Sequence, residues 1–212
     1  MGVTRDLGTR VELLSMDPHF HNISIALYRR EQPSGPEYLA HSYSGKKGTA
    51  GRLAFLTRAM VVLGGMRPAS GEDQWLRFPC GAAHQNAARR VFLEVCKMNS
   101  AAEPVARPLS IPDKKSGLTI TASSMGAGVY QVEAGEGEEA RRRASGVANG
   151  LIKLAGLARV GTEPERIAFE CGHAHDAAIG LLLIRALNVR TILREEEMAA
   201  TRGLLVAPSA QR

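Results

Sequence analysis

The chain has 212 residues, 44% apolar and 23% charged, which is the make-up of an ordinary globular protein and excludes a disordered or fibrous one. Its three cysteines are odd in number and follow no charged-then-apolar leader, so a disulfide framework is not expected and the thiols read as reduced in a cytoplasmic protein. The charge of +6 invites nucleic acid, but the basic residues are scattered and only 5% of residues are aromatic, which leaves few stacking platforms for single strands.

In chain order, residues 10–15 form a weak strand candidate, followed by Asp17-Pro18-His19-Phe20-His21, where an Asp-Pro turn carries a histidine pair. Residues 23–28 alternate as a strand and, after the turn-rich 32–36, residues 38–43 resume the extended pattern, which predicts a hairpin. Residues 44–51 look like a phosphate cradle, but the spacing is not that of a Walker loop, and a lysine-bearing loop with Thr49 as N-cap is the expectation. A helix over 49–63, a strand over 75–78 and a helix over 82–97 follow.

Residues 99–107 are poor in large apolar side chains and contain Pro104, which suits a linker. A weak strand over 108–111, a hairpin of 118–123 with 128–133, a helix over 138–154, a strand over 166–169 and a helix over 174–188 complete the pattern. No apolar run approaches the roughly 18 residues of a membrane span, since the longest, 177–187, contains Arg185.

The second series repeats the first at an offset of 91 positions. Phe78-Pro79-Cys80-Gly81-Ala82-Ala83-His84-Gln85-Asn86-Ala87 then lies over Phe169-Glu170-Cys171-Gly172-His173-Ala174-His175-Asp176-Ala177-Ala178, with six of ten pairs identical. The same offset, without a gap, sets the glycine-ended helix at 59–66 over that at 150–157. The expected architecture is therefore α+β: a tandem duplication of a β(2-3)-α-β-α unit forming a pseudo-twofold two-layer structure. The first repeat spans 1–98, the linker 99–107, the second repeat 108–193, and 194–212 form a C-terminal extension, read as a docking helix and tail. The element succession resembles the fold shared by GHMP-type kinases and a small-subunit ribosomal protein, a likeness of element order that implies no activity.

Each repeat carries Cys-Gly-x-Ala-His where a strand runs into a helix. Glycine there permits positive φ, alanine lets the helix pack closely, and the unpaired amides of the helix N-terminus attract anions and favour a thiolate. Three readings compete. Cys80, His84, Cys171 and His175 meet across the pseudo-twofold and hold a tetrahedral zinc; or Cys171 and His175 are catalytic beside a bound anion; or the motifs serve packing alone, as Cys96 does on its apolar stripe. The second junction is the richer, with Glu170, His173 and Asp176 facing Pro79, Ala82 and Gln85 in the first.

The expectation is a small anionic-ligand site, with Cys171 and His175 as catalytic candidates and Cys80, Gly81, His84, Gly172, His173 and Asp176 as ligand-binding ones. The alternative is a non-enzymatic scaffold that binds nucleic acid or protein through its basic faces. Cofactor, bound metal and homo-oligomeric state are not fixed by the sequence.

Overall fold

The strands of the first half carry apolar side chains on both faces, whereas those of the second half alternate, and this difference sets how each sheet is covered. A computed structural model describes residues 10–16, 24–42, 44, 46–69, 71–189, 194, 205 and 206. In the first half, β1 (Arg10–Met16), β2 (Ile25–Arg30) and β3 (Glu37–His41) precede α1 (Thr49–Gly64); β4 (Arg67–Ala69), β5 (Glu72–Arg77) and α2 (Gln85–Cys96) follow. In the second, β6 (Ser110–Pro112), β7 (Thr119–Gly126) and β8 (Val129–Glu133) precede α3 (Glu138–Ala155), then β9 (Ala158–Arg159), β10 (Arg166–Ala168) and α4 (Asp176–Ala186). A last strand, β11 (Leu205–Val206), pairs antiparallel with β1.

The fold is α+β, with two antiparallel sheets and four helices among the described residues. The first sheet runs β11-β1-β2-β3-β5-β4 and the second β6-β7-β8-β10-β9. On β2 and β3 eight of eleven residues are buried, because Ala26, Tyr28, Leu39, Ala69 and Trp75 form a small cluster separate from the main core. On β7 only Ile120 and Ala122 point inward, and Thr119, Thr121 and Ser123 face out.

Each half packs its own helix pair, α1 on α2 and α3 on α4, and the pairs also meet through α1 with α4, α2 with α3 and α2 with α4. One apolar core therefore runs through both halves. Small residues make the approach close. A Cβ on Gly150 would stand 2.9 Å from that of Ala186, one on Gly65 3.2 Å from that of Ala177, and one on Gly156 would press on Asn86. A buried carboxylate, Glu94, joins the halves by an ion pair of 2.5 Å to Arg185 and also holds Lys97.

Several of these contacts recur at positions 91 apart. Arg52 donates to the Cys96 carbonyl at 2.6 Å, and Arg143 to the Leu187 carbonyl at 3.2 Å, so each guanidinium ties off the helix that follows. Gly65 and Gly156 both end a helix in the left-handed region, at φ 65° and 72°. Glu94 and Arg185, joined by their ion pair, are themselves equivalent positions in that offset.

The expected hairpins and helices lie close to the predicted places, with differences at the ends. α2 and α4 start at Gln85 and Asp176, later than the pattern suggested, because the Cys-Gly-x-Ala-His segments form irregular turns before the helices. Thr49 is the first residue of α1 rather than its cap; Gly48, at φ 91°, stands before it while the Thr49 hydroxyl donates to the Lys46 carbonyl. Residues 99–107 form no helix or strand and are exposed except for Pro104, which is buried. His19 and His21 lie outside the described residues, as do Gly45 of the lysine loop and all of the C-terminal extension except Arg194 and β11. No helix among the described residues is long and apolar enough to cross a membrane.

Candidate metal centre

The two strand-to-helix turns meet. Phe78 and Phe169, each directly after its strand, are buried in the core, and the chain then reverses through Gly81 at φ 76° and Gly172 at φ 71°, values that glycine reaches without strain. Each reversal folds the cysteine back towards the histidine four residues on. Cys80 Sγ lies 3.2 Å from His84 Nε2, and Cys171 Sγ 3.3 Å from His175 Nε2. The contact is made through a turn and not along one helical face, since both histidines stand just before their helices.

All four donor atoms, two sulfurs and two imidazole nitrogens, lie within 4.8 Å of one another. With Zn–S near about 2.3 Å and Zn–N near about 2.05 Å, a tetrahedral site sets sulfur about 3.5 Å from nitrogen and sulfur about 3.8 Å from sulfur. The Cys-His pairs already sit near that spacing, and the widest pair needs to contract by no more than about 1.5 Å.

The imidazoles are clamped. His84 and His175 meet edge to face with ring centroids 4.5 Å apart, and both phenylalanines pack edge-on against both histidines at 4.7 to 5.3 Å. Burial pushes His84 below the ordinary histidine value; it pushes His175 down to about 4, helped by the neighbouring His84 and His173. A buried pair kept neutral at physiological pH presents the nitrogen lone pairs that a metal requires.

The sulfurs receive matching support. Ala82 N–H points to Cys80 Sγ and His173 N–H to Cys171 Sγ, each at 3.4 Å. Such donors orient and stabilise thiolate ligands. They do not by themselves make a thiolate of Cys80, contrary to the helix-dipole expectation: burial raises its pKa, and the nearby Cys171 adds to the rise. A divalent cation would reverse this balance by deprotonating the thiols outright.

The remaining candidates surround the cluster. His173 is exposed and its Nδ1 lies 2.8 Å from the Cys171 carbonyl. Asp176 does not orient His175; its carboxylate accepts the Tyr130 hydroxyl at 2.7 Å, while that hydroxyl accepts the His175 N–H at 2.7 Å. Tyr130 thereby holds the start of α4. A cavity of about 600 Å³ opens beside the cluster, lined by His84, Gln85, Asn86, Gly156, Glu170 and Cys171.

Sequence reasoning passed over four residues that build this centre. Phe78 and Phe169 were in the aligned motif, where their identity was the available signal. Gly35 and Gly128, at φ 105° and 71° in the two hairpin turns, press against the backbone of Gly81 and of Gly172-His173. Their signal was only a turn glycine. No protein-family model matches the chain, and no curated protein or solved structure shows significant similarity to it.

Proposed function

We propose that this chain binds one zinc ion through Cys80, His84, Cys171 and His175, and that the ion fastens together two diverged copies of one α/β unit. The observation that carries the proposal is the convergence of four soft and borderline donors, one Cys-His pair from each half, where the two strand-to-helix turns meet. Two thiolates with two imidazoles suit Zn2+ in tetrahedral geometry better than the oxygen-seeking cations. Four protein donors complete the coordination shell, which is the pattern of a structural site; a catalytic zinc keeps a position open for water. The reciprocal contacts of Arg52 and Arg143, and of Gly65 and Gly156, support the reading of the halves as copies.

Protein purified without chelators, or reconstituted after reduction, is expected to hold one zinc per chain. Replacement by Co2+ is expected to give the intense visible bands of a tetrahedral thiolate-bound ion. A chain that takes up no Zn2+ or Co2+, or takes up Co2+ with the weak spectrum of octahedral oxygen ligation, removes the proposal.

A second reading rests on the cavity beside His84 and Cys171, whose wall includes the first residues of α2. There a small anion meets the free amides of a helix N-terminus, and Cys171 with His175 acts on it in the metal-free protein. On this reading phosphate or a small carboxylate raises the melting temperature of the metal-free protein, and the gain persists in high salt. A gain that vanishes with salt assigns the effect to general screening of a basic surface.

A further inference from the structure

We infer that Cys80 and Cys171 form a redox latch, in which oxidation by a peroxide joins the two sulfurs in a disulfide and releases the metal. The inference rests on the zinc reading above and adds a second locked state to the same site. In reducing conditions the ion ties the halves; under oxidation a covalent bond takes its place.

Four observations carry it. The two sulfurs come from opposite halves yet lie within 4.8 Å of each other, so a disulfide of about 2.05 Å asks for a local closing movement and no rearrangement of the fold. Both thiols are partly exposed, and the cavity of about 600 Å³ opens directly on Cys171, so a small oxidant reaches it from solvent. The two imidazoles, by contrast, are buried among Phe78 and Phe169 and stay in place when the ion leaves. The third cysteine, Cys96, is fully buried in α2, and burial pushes its thiol up to about 12, so it offers no competing nucleophile.

The step balances as follows. The Cys171 thiolate attacks one oxygen of hydrogen peroxide; the S–O bond forms, the O–O bond breaks and hydroxide leaves. The Cys80 thiolate then attacks the resulting sulfenic sulfur, forming the S–S bond and expelling a second hydroxide. Two protons from solvent turn the hydroxides into water. The sulfurs together lose two electrons, the peroxide gains them, and Zn2+ departs with its charge unchanged because neither sulfur still carries the negative charge that held it.

The test treats zinc-loaded full-length protein with hydrogen peroxide while a chromogenic chelator reports free zinc, with intact mass and peptide mapping read in parallel. One zinc is expected to leave per chain, with an intact mass two hydrogens below that of the reduced metal-free chain and the appearance of a peptide joining Cys80 to Cys171. Dithiothreitol with added Zn2+ should restore the starting form. Cys96→Ser protein is expected to behave identically. In reduced, metal-free protein peroxide should produce the same linked peptide, which separates this inference from the metal reading: a chain that binds no zinc yet forms the disulfide defeats the latter alone. Zinc release accompanied by sulfinic acids on unlinked cysteines, or disulfides formed only between chains, overturns the latch.

Discussion

Cys80→Ser and Cys171→Ser proteins are expected to bind zinc at least about a hundredfold more weakly than the parent, and by the same factor as each other, since loss of a ligand itself costs no less than the roughly 10- to 100-fold seen for outer-shell partners. The equality follows from geometry. Each cysteine makes one contact to its own histidine, at 3.2 and 3.3 Å, and each sulfur accepts one backbone N–H, at 3.4 Å. His84→Ala and His175→Ala should form a second matched pair. If instead Cys171 and His175 are catalytic on an anion, the second-half variants lose function and the first-half ones keep most of it. Competition titration with a calibrated chelator separates the two patterns.

Metal removal should also lower stability, because the ion binds ligands assembled only in the folded chain. At free zinc a thousandfold above Kd the stabilisation is about 4.1 kcal/mol, which for a chain of this size raises Tm by about 8 to 16 °C. All four ligand variants should melt near the metal-free parent whether or not zinc is added. A parent protein whose Tm ignores a strong chelator would count against a fastening role for the ion.

The halves of this fold could be read from sequence to different depths. Helix ends were legible where glycine supplies a left-handed cap, as at Gly65 and Gly156. The starts of α2 and α4 were not, because Ala82 to His84 and Ala174 to His175 have helix-compatible side chains, and only the positive φ of Gly81 and Gly172 shows the chain still turning. β4 and β9, of three and two residues, carry no periodic signal; pairing with β5 and β10 makes them strands. The motif itself was plain at the 91-residue offset. What sequence could not decide was adjacency, since equivalent positions in two copies can as easily lie at opposite ends of a molecule. Helix packing decides it, through small residues such as Gly65 against Ala177 and Gly156 against Asn86 that let the two helix pairs approach.

The hairpin glycines give the other large effect. A Cβ at Gly35 would stand 2.1 Å from the Gly81 carbonyl oxygen, and one at Gly128 would stand 2.8 Å from both the backbone nitrogen and oxygen of His173. Neither partner is the end of a flexible side chain that can swing away; both are backbone of the turns that hold the cysteines. Gly35→Ala and Gly128→Ala therefore combine a strained backbone, at about 1 to 3 kcal/mol each, with a displaced ligand turn. The expected outcome is a Tm lower by about 2 to 12 °C, at about 2 to 4 °C per kcal/mol. Zinc affinity should fall by about tenfold or more, as when the groups that orient a ligand are lost. The control is Gly117→Ala. Gly117 has the same φ as Gly128, 71°, but nothing lies within 4 Å of its would-be Cβ. It should pay the backbone strain alone, lowering Tm and leaving zinc affinity unchanged. Equal losses of affinity from Gly117→Ala and Gly128→Ala would mean that the hairpin tip does not position the Cys171 turn, and that any effect on the metal comes through stability.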